Sequence, residues 1–476
     1  MGGSTVNEFS DELAGILKDC ANYGVKQKIA GLAKPYWSHE LTELKRLSIE
    51  AHAGWVAQGR PRFGVVNDNR LLCKARYKQA FRLARRNFEN NVSDRLALKL
   101  LHGNSKSFWA EWKAKFGSTK VSNVEVGGNV SPDMVAQGFA DYFKGNYCDS
   151  AVNIKLKERY MAAYESLIAD PVNLAYAPFT VSELKLAIAK LKKGKSPGMD
   201  KVTPEMVLFA GGLLPIALTN LFNMCLLHGV VPSSFSMSVI VPIVKDTNGG
   251  YGEYDNYRPI SLVNLFSKLL ELCMSERLNH LFKVDELQYG FVAGKGCQKA
   301  LFSLESIVNY YTSRGSPVYM AALDATKAFD RVNHYALFHK LLCLGVSLCF
   351  LNVIVYWHLN LCGCVLWHGA LSAVFNIRSG VRQGGVNSPW YFSVYINDLI
   401  DKLRCSGYGC HLCSLFVGCL LFADDILLLS GSILQLQLML DICVSYVLNL
   451  ILFLIEPNLS YCKLVWMLML CYHIYA

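Results

Sequence analysis

The chain has 476 residues, with 47 Lys and Arg against 37 Asp and Glu; 18% of residues are charged and 52% hydrophobic. The resulting +10 charge favours an anionic partner, while the apolar content excludes a disordered tail, which needs dense charge and little hydrophobicity. At roughly 150 residues per domain, the length also excludes a single small module.

The seventeen cysteines do not imply disulfides. The opening MGGSTVNEFSDEL lacks the basic and apolar regions of a secretory signal, and Val6 breaks the myristoylation pattern. Many cysteines lie in apolar runs, where the thiol behaves as a small hydrophobe. A reducing compartment is expected, nucleus or cytoplasm, with no secretion.

The positive charge is concentrated. From Arg60 to Lys115 there are about 14 basic residues against about 4 acidic ones, roughly +10 for that segment. Tyr77, Phe81, Ala84 and Phe88 fall on one helical face, with Lys78, Arg82 and Arg85 beside them and Lys74 and Arg86 in the same segment. Two readings stand: a solvated helix face, or a basic arm along a phosphate backbone. Trp109 and Trp112 follow and are expected to dock the arm on a neighbour.

A Gly/Ser-rich stretch from Gly117 to Pro132 reads as a linker, with further helix to about Asp170. Thr180 and Glu183 then form a capping box, with Phe179 as staple and Leu184, Ile188 and Leu191 as the buried stripe. Gly194 is expected to end that helix. The GKS that follows is not a phosphate loop, because Ala189 stands where the first glycine belongs. From about Ser238 short β-type runs appear: SVIVPIV, PVYMAALD and SLFVGCLLFADDILLLS. Strands interleaved with helices indicate an α+β domain.

Asp424-Asp425 is flanked by apolar β residues on both sides. Adjacent carboxylates at a buried hairpin tip repel unless a cation offsets them, although Asp is also a common turn residue. Asp324 ends the run VYMAAL, where a strand would deliver it to the same sheet edge. Carboxylates from neighbouring strand ends suit two Mg²⁺ ions, with Mn²⁺ a possible substitute, and phosphoryl transfer.

LDATKAFDRVNH, SGVRQGGVNSPWYFSVYINDL and LFADD, in that order, resemble motifs A, B and C of reverse transcriptases. GKSPGMD, VIVPIVKDTNGGYGEYDNYRPISL and LQYGFVAGKG extend the resemblance to the non-LTR (LINE-type) retrotransposon group, over about 175–448. It implies a right-hand polymerase of fingers and palm, preceded by a basic helical arm. It also implies RNA-directed DNA synthesis, with an RNA template, a DNA primer or target, and dNTPs. Asp324, Asp424 and Asp425 take the catalytic metal positions. Phe329 matches the gate against a ribose 2′-OH, and Lys245 and Arg258 match cations that clamp the triphosphate. Gln383 and Gly384 take nucleotide-side positions, Gly384 letting backbone approach the template–nucleotide pair. Lys195 and Arg382 join the arm cations as nucleic-acid contacts.

The expected divisions are a basic arm (1–120), linker and helices (121–175), fingers (176–310), palm (311–431) and a degenerate thumb stub (432–476). Val386-Asn387 stands where the family usually has an apolar pair, and Leu459 where it has a lysine. A frameshift from about Asn449 is expected on that ground, with a non-catalytic nucleic-acid-binding remnant as the alternative function. The apolar run Ile442–Ile455 falls short of the roughly 20 residues a membrane span needs. Cys410 and Cys413 have half-zinc spacing, and Cys362 and Cys364 could supply the remainder; packed structural cysteines are the favoured reading.

Overall fold

The computed structural model describes residues 2–24, 36–101, 125–147, 154–169, 177–246, 249–324 and 327–451. Trp109, Trp112, the first half of the expected linker and the tail beyond 451, with Leu459, lie outside them. The chain divides into two compact units, 22–122 and 1–21 with 123–476.

In the smaller unit the helices His39–Ala57 and Val65–Leu101 form an antiparallel pair. Tyr36 and Trp37 pack on Phe81, Tyr36 also meets Phe88, and the Arg70 guanidinium lies 4.1 Å over the Trp55 ring. The aromatic stripe of the sequence is therefore the face that holds the pair together. Lys74, Lys78, Arg82, Arg85 and Arg86 are all exposed, and Arg85 is held by Glu89 at 3.0 Å.

The first helix, Gly2–Gly24, does not belong with the basic arm. Val6, Leu13, Ala14 and Leu17 on it are buried in the main core of the larger unit. That core is centred on Phe139, Phe143, Leu218, Phe222, Phe235, Phe266 and Phe338. Each such side chain stabilises by roughly 1.5–3 kcal/mol when fully removed from water. Val126, inside the expected linker, is fully buried in the same core, and Pro132 starts the helix Pro132–Asn146.

The capping box at Thr180 is formed in both directions and starts the helix Val181–Ala189. That helix ends at Lys190, before Gly194. The Gly194 N–H donates to Glu205, so its positive φ of 71° serves the following loop and not a helix cap.

Two sheets carry the rest. One is mixed: β1 (Met237–Val244) pairs antiparallel with β2 (Tyr257–Val263) and parallel with β4 (Cys362–Trp367). The short β5 (Ala370–Leu371) and β6 (Phe375–Asn376) attach to β4. The other sheet is antiparallel and orders as β3 (Tyr319–Asp324), β10 (Asp425–Ser430) and β9 (Cys419–Phe422). A separate hairpin joins β7 (His411–Leu412) and β8 (Leu415–Phe416).

Alternation along β9 and β10 buries both faces of the second sheet. Cys419, Leu421, Ile426 and Leu428 pack under the helices Ser388–Cys405 and Ile433–Ile451, with Leu403, Met439 and Cys443. Leu420 and Leu429 face the helix Cys297–Thr312 through Ile307. A sheet covered on both sides reads as a continuous apolar run, which is what the sequence around LFADD shows. Among the described residues no helix is long and apolar enough to cross a membrane.

Candidate active site

Ala423 and Asp424 are the two loop residues of the β9–β10 hairpin, since Phe422 pairs with Asp425. Asp324 is the direct partner of Asp425 across the β3–β10 ladder. Both follow the face that carries Met320, Leu427 and Leu429, so the two carboxylates share one side of the sheet end. Like charges directly opposite on a sheet are destabilising, and here a third carboxylate adds to the repulsion.

The titration reflects this. Burial, then the Asp425 and Asp324 charges, push the Asp424 carboxyl above its ordinary range, while Arg258 pulls it down. Burial and Asp324 likewise raise Asp425. An added divalent cation relieves this repulsion, and all-oxygen ligation suits a hard ion. Among the described residues no three carboxylate, imidazole or thiolate groups enclose an ion on their own. The oxygen donors that the aspartates do offer are of the kind that suits a hard divalent ion.

Lys245 and Arg258 lie at the loop end of the β1–β2 hairpin. The Lys245 Nζ donates to the Asp255 carbonyl at 2.7 Å, and Arg258 is exposed. Lys327, which the sequence did not single out, sits 3.4 Å from the Asp255 carboxylate and donates to Tyr142 and Asn146. Phe329 stacks on Phe392 at 4.5 Å, and Phe291 meets it edge-on at 5.8 Å. Phe291 is 65% exposed and has φ 58°, a rare backbone state for a bulky residue.

Gln383 bridges the two neighbouring motifs. Its Nε2 donates to the Asp330 carboxylate at 2.8 Å, and its carbonyl accepts from the Ser261 N–H. Gly384 has φ 123°, and a Cβ there would lie 2.8 Å from the Ser261 carbonyl. The close approach this glycine makes within the fold is to β2.

Arg382 requires a correction. It was expected to contact nucleic acid, but its guanidinium is buried in an ion pair with Glu271 at 2.7 Å. It also donates to the Phe235 carbonyl and stacks over Trp357. Glu271 in turn accepts from the Val386 N–H at 2.6 Å, and its carbonyl accepts from Asn387 Nδ2 at 3.0 Å. The Val386-Asn387 pair therefore has an internal partner in Glu271. Lys195 is exposed in the loop after the helix Val181–Ala189.

The half-zinc cysteines do not converge. Cys410 is buried in the β7–β8 region, where burial pushes its thiol up to about 11, and Cys413 is exposed. Cys362 and Cys364 lie on β4, in the other sheet.

Residues 244–454 match the family model described as reverse transcriptase (RNA-dependent DNA polymerase). This segment, with its three-aspartate sheet, is a reverse transcriptase domain of α+β architecture. The curated proteins it is similar to come from retrotransposons of the non-LTR, LINE-type kind. One is the Pol polyprotein of the R2DM element of Drosophila melanogaster, 25% identical over 55% of this chain and 24% of that protein. Another is the RNA-directed DNA polymerase of the mobile element jockey of Drosophila funebris, 28% identical over 54% of this chain and 28% of that protein. The chain spans about a quarter of the length of these two curated relatives. Apo telomerase from Candida tropicalis aligns over 45% of this chain and 48% of its own, at 15% identity and a TM-score of 0.33, too partial a likeness to argue from.

Proposed function

We propose that this chain extends a DNA primer on an RNA template, adding dNTPs to the primer 3′-OH. The observation that carries the reading is the Asp324–Asp425 pairing, with Asp424 in the adjoining turn. Two Mg²⁺ ions, when bound, would activate the attacking hydroxyl and offset charge on the departing pyrophosphate. Asp324, Asp424 and Asp425 would hold them from the sheet side. Lys245 and Arg258 would receive the triphosphate from the β1–β2 side, Arg with a fork and Lys as a point charge.

Phe329, packed against Phe291 and Phe392, would crowd the sugar and favour deoxynucleotides. Template pairing would supply sequence information, so the exposed cations of the arm would bind backbone, with affinity falling as salt rises. Nuclear or cytoplasmic residence is consistent with this chemistry.

Primer extension on poly-rA/oligo-dT with Mg²⁺ and dTTP tests the reading. Incorporation by the chain, abolished in Asp424→Asn, is the expected result. Template–primer binding with no incorporation by the unaltered chain defeats it.

A further inference from the structure

The Gln288 side chain is 1% exposed and all its polar atoms serve one turn. Its Oε1 accepts from the Ala423 N–H at 2.9 Å and from the Gly290 N–H at 2.8 Å. Its Nε2 donates to the Ala423 carbonyl at 3.2 Å. One carboxamide thus satisfies both backbone groups of the residue immediately before Asp424.

That turn needs outside support. Ala423 has φ 58°, a left-handed state that costs an L-residue about 1 kcal/mol. Ala423 is also buried, so its N–H and carbonyl would be costly without partners. The backbone of the same segment continues the grip: the Tyr289 N–H donates to Leu421 O, and the Leu421 N–H to Leu287 O, each at 2.8 Å. Gly290 closes the fit, since a Cβ there would lie 2.2 Å from the Ala423 nitrogen. Leu287–Gly290 is shaped to the back of the aspartate hairpin, 135 residues away along the chain from Gln288 to Ala423.

We infer that Gln288 is a positioning residue: by fixing the Ala423 peptide it sets the directions in which Asp424 and Asp425 present their carboxylates. The inference rests on the polymerase reading. Misplacing reacting groups by about 1 Å is enough to lower a rate about 100-fold. Loss of the carboxamide should therefore act on the chemical step and on metal affinity more than on substrate binding.

The test uses the full chain with Gln288→Met, which keeps volume and removes all three bonds, and Gln288→Glu, which keeps the acceptor oxygens. Three quantities are read: kcat and KM for dTTP on poly-rA/oligo-dT, template–primer Kd, and Mn²⁺ affinity by electron paramagnetic resonance. For Gln288→Met the expectation is a kcat about 100-fold lower and Mn²⁺ bound at least fivefold more weakly. KM and template–primer Kd should stay within about threefold, the split that a mere loss of folding would not give. Gln288→Glu should fall between the wild type and Gln288→Met in kcat, and it becomes the deciding variant if Gln288→Met does not fold. Wild-type kcat and Mn²⁺ affinity in the deciding variant overturn the inference, as does a loss of template–primer binding equal to the loss of rate. If the unaltered chain incorporates nothing, the polymerase reading fails. Mn²⁺ affinity, with Asp424→Asn as control, then decides the positioning role alone.

Discussion

Arg382 and Glu271 form an ion pair of 2.7 Å in which each side chain is only 6% exposed. Removing one partner of such a pair leaves a buried charge without compensation, which typically costs roughly 3–5 kcal/mol. Arg382→Ala is expected to lower stability by that order, read as a shift of the urea midpoint. Because the guanidinium is internal, its removal should leave the salt dependence of template–primer binding unchanged in any variant that still folds.

The arm should behave in the opposite way. Lys78, Arg82 and Arg86 are exposed on the helix Val65–Leu101, away from the aromatic face that packs on its neighbour. Replacing the three with Gln should cost little stability. The log–log salt slope of binding should become shallower by roughly 0.9 for each duplex DNA phosphate no longer neutralised, or about 0.7 on a single strand. An unchanged slope, measured by fluorescence anisotropy across a salt series, would assign the charge to solubility instead.

Phe329 offers a test of sugar selection. Its ring is half-buried against Phe392 and Phe291, so Phe329→Val removes ring volume at that position. The ratio of rUTP to dTTP incorporation should rise by about tenfold or more, within the range that a few carbons impose in a packed pocket. Equal ratios in the variant and the parent would remove Phe329 from the gate.

Stability should fall in mild acid. His334 and His358 are buried with ring centroids 5.2 Å apart, and burial pushes them down to about 4 and about 3. Below about pH 6.5 the unfolded chain takes up protons that the folded chain refuses, so stability is complete above that pH and is lost as pH falls toward about 4. For His334 alone the change is roughly 3 kcal/mol. Asp200 opposes it: burial raises its carboxyl to about 6, so its ionisation penalty fades as pH falls below that value. Asp200→Asn should therefore steepen the acid loss, measured by denaturant melts at about pH 7, 5.5 and 4.5.

The strands and the three aspartates were legible because each is announced locally. An apolar run of strand length ending in Asp324, and a second interrupted by Asp424-Asp425, already place carboxylates at strand ends. The Thr180 cap was equally readable, since its partner is three residues away. Long-range pairing is not written that way. LQYGF was visible as a motif, but nothing near Gln288 names Ala423 as its target. Arg382 looked like a template contact because its buried carboxylate partner lies 111 residues upstream. Gly194 misled for a related reason, as its left-handed turn answers Glu205 and not the helix before it.

The pairing of Leu287–Tyr289 with Leu421 has a consequence for how the chain survives synthesis. It covers the outer rim of β9, whose CLLF sequence would otherwise offer unpaired backbone groups on an apolar strand. Bare rims of that kind template intermolecular β-pairing. Substitutions that prise this segment away are expected to fill inclusion bodies, so solubility on expression, before any assay of nucleotide addition, should report whether the cover is in place.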